Sequence, residues 1–541
     1  MLSYLIILMN KEIQNIVIVG GGTAGWTTAL NFLQKTNDVK ITLVSSKEIP
    51  IIGVGESTTG IMNNLININN GKIKINELYF IKETDSTFKL GIKHQDWYKK
   101  GDSFVSPLGD SFTNELNYPH STYDYSRIYH AAKKIKYNYY TPSRLMLEDK
   151  LPYLNITEKN KYFYFEDKHK KIDLKLNHVA YHIDTYKVGQ YLKGVLKENK
   201  NILNVEDKII SVNRDDEGFV KSLKTQNGKI VKGDFFIDCS GFFRLLIDHE
   251  NKFISYKDNL LTNKAIAFNT KNHKIKNYTL AKARNYGWEW NIPLQTRMGR
   301  GYVFNSDMIS LDKAIQELES DYGKIDNINE INFNSGRMKN VWVKNVLSTG
   351  LSSGFLEPLE ATSIHMTILQ VNNFIEQYYT KNLNFKCQSL INQYNSEIGS
   401  AWDDLRDFIN LHYITPRKDT EFWIESSSNK RHSENLKNKL EIWKSRMPRV
   451  NDYHGGLYNT FYHLGNTLWY QILLGMNLLD DKTAEKELQD LKLTYFAEDM
   501  HKRKRELADW ILSCSIDNKT FYENIDYYFN NYQKINFVER V

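Results

Sequence analysis

The sequence predicts an α/β chain whose last third is helical, and three observations carry that expectation. Asn15 to Trp26 reads NIVIVGGGTAGW: a β-branched run, Ile16-Val17-Ile18-Val19, enters a glycine turn and then a helical pattern from Trp26 to Gln34. A continuous apolar run of this kind followed by a helix is the pattern of a buried parallel strand. Asp234 to Gly241, DFFIDCSG, repeats the apolar strand running into glycine. Beyond about residue 390 the pattern is helical almost throughout, at Leu390 to Ser396, Ala401 to Tyr413, Leu436 to Arg446 and Thr483 to Leu512.

The first turn, Gly20-Gly21-Gly22-Thr23-Ala24-Gly25, has the G-x-G-x-x-G spacing of a dinucleotide site. Gly20 supplies the tight turn, Gly22 lets the backbone approach a pyrophosphate, and Gly25 lets the helix lie against the strand. Free backbone N–H groups and the positive helix end then hold the anion, as in a Rossmann-like unit. The second strand, Val39 to Val44, ends in Ser45-Ser46 where an acid ordinarily holds the ribose; Glu48 is the next carboxylate and no Arg takes its place. Ile51 to Thr58, IIGVGEST, sets Gly53 and Gly55 beside Glu56, a backbone built to pass close to something flat or charged. A helix is expected over residues 60 to 85.

A chain of 541 residues buries a large core and forms two units rather than one. We divide it at 385: residues 9–385 as a dinucleotide-binding domain with an inserted β-sheet region, and 386–541 as a helical carboxy-terminal region. Residues 1–8 are read as a disordered extension, since Met9-Asn10-Lys11 would make a normal start before the first strand. Lys and Arg number 71 against 64 Asp and Glu, a net +7, too mild over this length for a nucleic-acid partner. Cys239, Cys387 and Cys514 form no metal-ligand or paired pattern, so no metal is expected and a reducing cytoplasm is. Leu2 to Met9 is too short to span a bilayer, and nothing else approaches that length.

Phe88 to Trp97, FKLGIKHQDW, alternates like a single strand and would put Lys89, Gly91 and Lys93 on one face. An outward, solvated lysine is the ordinary expectation there. Residues 100 to 180 are the least regular part, with the basic runs Lys133-Lys134 and His169-Lys170-Lys171 as surface. A helix from Thr185 to Glu198 follows, then strands at Lys208 to Val212 and Phe219 to Thr225. Gly287 to Pro293, GWEWNIP, carries two Trp on one side of a strand. Strands at Gly301 to Phe304 and Val341 to Val343 precede GLSSGFLEPLEATSI, 350 to 364, where a glycine turn opens a helix running to about Tyr379. Glu360, Thr362 and Ser363 fall at that helix start, where free N–H groups collect anions.

Taken in order, GGGTAGW, GVGEST, FKLGIKHQDW, AYHID (180–184), DCSGF (238–242), GWEWNIP, GFLEPLEATSI and RDFINLHY (406–413) resemble the flavin-dependent halogenases, the two-component enzymes related to tryptophan halogenase. The resemblance runs from Ile16 to about residue 480. It implies the FAD-binding fold shared by aromatic hydroxylases and halogenases, and a reaction in which reduced FAD (FADH2), O2 and a halide ion yield hypohalous acid that halogenates an aromatic substrate. It implies a separate flavin reductase as partner. By position, Lys89 matches the family's essential lysine and Glu360, second acid of E-P-L-E, its essential glutamate. Thr362 and Ser363 match the halide site, Leu351 and Ile364 flank the flavin ring, and Val205 falls where the chain passes the adenine end of FAD. Gly20, Gly22, Thr23, Ala24, Gly25, Ser46, Gly55 and Glu56 complete the cofactor set, while Trp288 and Trp290 would separate flavin from substrate.

Two departures shape the expected substrate. Ala361 stands where tryptophan halogenases place Ser, and Ser363 where they usually place Gly, so a hydroxyl is missing from the pocket and an aromatic other than tryptophan is favoured. Lys89 can act protonated, as a hydrogen-bond donor to the hypohalous oxygen, or neutral, as an amine that forms a haloamine. The competing assignment is an FAD-dependent aromatic hydroxylase of the same fold, which would need neither Lys89, nor Glu360, nor the paired Trp. A flavoprotein without catalysis is a further alternative.

Overall fold

The computed structural model describes residues 12–49, 55–67, 71–108, 125–135, 141–154, 179–249, 251–271, 273–449, 452 and 468–530. The expected extension at 1–8, Gly53 and the basic run at 169–171 lie outside the described residues.

Six strands carry the glycine turn, in the order Trp342–Val343, Val346–Ser348, Phe235–Asp238, Asn15–Val19, Lys40–Ser45, Ile202–Glu206. All run parallel except the edge strand Trp342–Val343. Ile16 lies opposite Ile41 on one side and Phe235 on the other, and all three are buried. Strands apolar on both faces need cover above and below. Helix Thr23–Lys35 packs between helices Thr185–Leu196 and Thr362–Asn373 and supplies part of it. Asn15–Val19 has its sequence neighbour on one side and the sequence-distant strand Phe235–Asp238 on the other, so a crevice opens at its carboxyl end.

A seven-stranded, largely antiparallel sheet forms the second layer, ordered Asn329–Asn332, Lys264–Thr270, Met298–Phe304, Gly287–Pro293, Tyr278–Ala283, Gly91–Gln95, Ser103–Pro107. Its central strand Gly287–Pro293 is buried at every residue. A small sheet, Glu56–Ser57, Ala180–Ile183, Thr87–Lys89, joins the two layers and sets Ser57 and Lys89 on strands flanking the same partner.

Several elements depart from the sequence expectation. FKLGIKHQDW is two strands, Thr87–Lys89 and Gly91–Gln95, in different sheets. The backbone changes partners at Leu90, whose N–H donates to Asn277 O (2.7 Å) while its carbonyl accepts from Leu108 N (2.8 Å). Lys89 and Lys93 therefore share no common face: Lys89 is fully buried and Lys93 half-buried. The helix expected over 60–85 is two, Gly60–Ile66 and Glu77–Glu83. Two expected carboxy-terminal helices merge into Gln388–Leu411, and another splits into Asp481–Asp490 and Thr494–Cys514 with left-handed Lys492 (φ 55°) at the break. A short strand, Ser515–Asp517, pairs with Lys150–Leu154 and ties the helical end back to the first part of the chain. Among the described residues, no helix is long and apolar enough to cross a membrane.

Candidate active site

A cavity of about 1240 Å³ opens at the crevice and runs from the glycine turn to the start of helix Thr362–Asn373. Drug-sized ligands fill roughly 300–1,000 Å³, so there is room for a dinucleotide and more. At its first end Gly20 has φ 126° and donates its N–H to Val44 O at 2.8 Å. A Cβ there would sit 2.2 Å from Cys239 O, which only glycine avoids. A Cβ on Gly22 would meet no atom of the described residues within 4 Å, so among them the space over the turn is free. Helix Thr23–Lys35 starts at Gly22 with no side-chain cap, leaving its first N–H groups for an anion. An open cradle over an uncapped helix end fits the pyrophosphate of FAD.

Gly20, Gly22, Thr23 and Ala24 line the cavity as expected, and so do Ser46, Gly55 and Glu56. Burial pushes the Glu56 carboxyl up to about 7. Two expected residues do not face it. Gly25 is buried behind the turn, where a Cβ would lie 1.9 Å from Gly20 O, so it serves the helix–strand contact. Val205 pairs with Val44 inside the sheet and its side chain is buried; the next residues, Glu206, Asp207 and Lys208, form the wall instead. The missing ribose acid has two candidates at this wall, Glu48 and Glu206. Glu48 pairs with Lys208 at 3.2 Å and Glu206 with Lys47 at 2.5 Å.

The far end is built by an irregular turn. Glu360 (φ 64°) and Ala361 (φ 56°) are consecutive left-handed residues without being glycine. Such conformations cost of order 1–3 kcal/mol each and persist only where the surroundings impose them. The pair delays the helix to Thr362, whose first turn again has no side-chain cap. Leu351, Glu360, Thr362, Ser363 and Ile364 line the cavity there, together with Trp288 and Trp290. The indole N–H of Trp290 is buried with no protein partner, whereas that of Trp288 donates to Glu357 at 3.1 Å.

Lys89 does not form the cavity wall but stands behind it, fully buried. Its Nζ donates to Ser57 Oγ at 2.7 Å and to Thr58 O at 2.9 Å. Burial lowers its pKa to about 8, partly opposed by the charge of Glu360. Two of its N–H groups are thus tied to the wall strand, and the third position is open to hold a proton or a lone pair.

The two acids of E-P-L-E separate into different roles. Glu357 accepts from Thr262 Oγ1 (2.6 Å), Trp288 Nε1 (3.1 Å) and Tyr413 OH (2.8 Å), and burial raises its pKa. Glu360 faces two histidines that the sequence did not single out: His412 Nε2 at 3.1 Å and His94 Nε2 at 3.4 Å, both toward Oε1. Burial works to raise the Glu360 pKa, but the contacts of His412 and His94 outweigh it and hold the carboxyl well below its ordinary range. The ligand-type atoms of His94, Glu360 and His412 lie within 4.8 Å of one another, the one group of three such side chains this close among the described residues. The His412 contact has the length of a hydrogen bond, and the His94 contact is longer. The signal was present in the sequence: His94 lies within FKLGIKHQDW and His412 within RDFINLHY.

Comparison with known proteins gives a consistent result. Residues 15–489 match the profile of the family described as tryptophan halogenase. The chain is 31% identical over 506 residues to the tryptophan 6-halogenase ThaL of Streptomyces albogriseolus, covering 87% of this chain and 91% of that one. It is likewise 31% identical over 508 residues to the tryptophan 7-halogenase RebH of Lentzea aerocolonigenes, covering 88% and 92%. Among solved structures, a flavin-dependent halogenase from Brevundimonas superposes with a TM-score of 0.77 at 27% identity, covering 95% of this chain and 99% of that one. One from Xanthomonas campestris superposes at 0.78 with 25% identity and the same coverage.

Proposed function

The chain belongs to the tryptophan halogenase family and is a flavin-dependent halogenase using FADH2, halide and O2; from that premise we propose that Lys89 and Glu360 direct halogenation of a small aromatic ring. The observation that carries this is a buried glutamate on the cavity wall, at the end remote from the dinucleotide turn, with a buried lysine behind that wall.

Bound in the cavity, reduced FAD supplies hypohalous acid from O2 and halide. Everything else falls to the chain. Amides of Gly20 to Ala24 would hold its pyrophosphate, and Leu351 and Ile364 would line the space for its ring. The N–H groups of Thr362 and Ser363, at the uncapped helix start, hold the halide, since a helix N-terminus favours an anion. Trp288 and Trp290 keep flavin and substrate apart, and the free Trp290 N–H offers a donor to whatever lies against it.

With a pKa of about 8, Lys89 is about nine-tenths protonated at pH 7, each pH unit being about tenfold. Two N–H groups are spent on Ser57 and Thr58, and the third donates to the oxygen of hypohalous acid, making the halogen more electrophilic. Glu360 takes the proton the ring releases as the carbon–halogen bond forms. General-base duty of this kind is worth about 10²–10⁴-fold. A protonated arene is a strong acid, so the base need only be ionised and correctly placed.

The curated relatives act on tryptophan. Ala361 lines this cavity beside Glu360 with a methyl group instead of a hydroxyl, which supports an electron-rich aromatic other than tryptophan held by packing. A separate flavin reductase in the cytoplasm, consistent with free Cys239 and Cys387, delivers the reduced flavin.

The test combines protein, FAD, a flavin reductase, NADH and each halide in turn with a panel of indoles, phenols and pyrroles, read by mass spectrometry. Halogenated product that requires the reductase is expected. Oxygenated product formed from NADH alone, without halide, would favour the hydroxylase.

A further inference from the structure

His412 closes helix Gln388–Leu411, and its Nδ1 lies 2.9 Å from Phe408 O. A carbonyl oxygen only accepts, so Nδ1 carries a hydrogen. The opposite nitrogen, Nε2, stands 3.1 Å from Glu360 Oε1. Two lone pairs do not approach so closely in a buried site; the contact holds one shared proton, written either as imidazolium with carboxylate or as imidazole with carboxylic acid. His94 comes from strand Gly91–Gln95, in the other sheet, and points its Nε2 at the same oxygen from 3.4 Å. Neither His94 nitrogen makes a well-formed hydrogen bond, and the ring is completely buried, stacked on Phe104 at 4.6 Å. Leaving a buried polar group unsatisfied costs about 1–3 kcal/mol, so an imidazole here is a poor choice for packing alone. Both histidines approach Oε1, and among the described residues no hydrogen bond reaches Oε2 of this cavity-lining residue.

We propose that His94 and His412 are positioning residues that keep Glu360 a carboxylate, with Oε1 engaged by both imidazoles and Oε2 presented to the ring proton of the substrate. His412 carries the shared proton, and His94, neutral, donates from Nε2. This deepens the halogenase assignment and rests on it. Proton balance is simple: the C–H electron pair restores aromaticity, the proton passes to Oε2, and it leaves to solvent as product departs. Without the histidines the carboxyl would be buried with only Lys89 nearby, and burial favours the neutral acid. Burial also lowers the His94 pKa, against the pull of Glu360. The charged or titratable groups facing this cluster are Lys89 from strand Thr87–Lys89 and Glu357, which acts on His412.

Three variants separate positioning from mere packing. His94→Phe keeps the ring stacked on Phe104 and removes the nitrogens, His94→Gln restores a donor toward Oε1, and His412→Gln keeps a donor but cannot carry the proton. Halogenation rates are measured from pH 5 to 7, where Lys89 stays about nine-tenths or more protonated. The expected result is an acid limb displaced to higher pH in His412→Gln and His94→Phe, with about tenfold loss per pH unit below it, and partial return in His94→Gln. An infrared pH titration of the cofactor-free proteins gives a readout independent of turnover. A protonated-carboxyl band, absent from Glu360→Gln, should emerge at higher pH in the histidine variants than in wild type. Wild type that halogenates while the variants keep superimposable normalised pH profiles and unchanged infrared titrations would overturn the role of the histidines alone. Wild type that yields no halogenated product would remove both that role and the assignment beneath it.

Discussion

Replacing Lys89 with Met removes the amine while keeping the length and most of the volume of the side chain. Burial holds the Lys89 pKa at about 8 against the ordinary 10.5, a difference of about 2.5 units, or about 3 kcal/mol at about 1.36 kcal/mol per unit. That is the free energy the fold gives up to keep a cation there at neutral pH. Loss of the amine leaves Thr58 O without its donor, costing about 1–3 kcal/mol, while the half-buried Ser57 hydroxyl can turn elsewhere. The net is a fold between unchanged and about 2 kcal/mol more stable. Unfolding entropy of about 2.1 cal/mol/K per residue over 541 residues makes 1 kcal/mol worth about 1 °C. Lys89→Met should therefore melt between about 0 and 2 °C above wild type by calorimetry and give no halogenated product. A midpoint several degrees lower would mean that Lys89 is there for the fold, and the assigned role would be wrong.

Other consequences follow from the same geometry. If Lys89 works as a donor, the rate of halogenation falls as pH rises through about 8, by about tenfold per unit at the limit; a rate that climbs through that pH would establish the neutral amine and the haloamine route. Gly22→Ala places a methyl where no atom of the described residues lies within 4 Å, so the melting point of the cofactor-free protein should hold while FAD affinity drops in a fluorescence titration. Unchanged affinity would show that the cradle lies elsewhere. Glu357→Gln disturbs a carboxylate that satisfies three buried donors, and should lower stability by about 1–3 kcal/mol, the opposite sign to Lys89→Met.

The dinucleotide unit was legible because its demands are local. Glycine at 20 answers a positive φ, and glycine at 25 a close backbone approach, both within one strand–turn–helix. Periodicity failed where its premise did, at Leu90: alternation assigns faces only within one strand, and a backbone that changes sheets between Lys89 and Gly91 keeps the alternating sequence while breaking the shared face. Glu360, expected with Thr362 and Ser363 at a helix start, lies just before it, because left-handed geometry at Glu360 and Ala361 is imposed by tertiary packing, which no propensity encodes. His94 and His412 escaped for a related reason. Each looked like an ordinary member of its motif, and only the fold brings strand Gly91–Gln95, the turn at Glu360 and the end of helix Gln388–Leu411 to one oxygen. Val205 was matched by position alone: the strand's in–out alternation sends its side chain into the sheet and Glu206 to the cavity.

The central claim is that Lys89 directs the halogen to the ring. The measurement that tests it most directly compares wild type and Lys89→Ala under identical flavin reduction, quantifying by mass spectrometry both halogenated substrate and free hypohalous acid caught by a small-molecule trap. The variant should still yield trapped hypohalous acid and no halogenated substrate. Halogenated substrate at the wild-type rate in Lys89→Ala would contradict it.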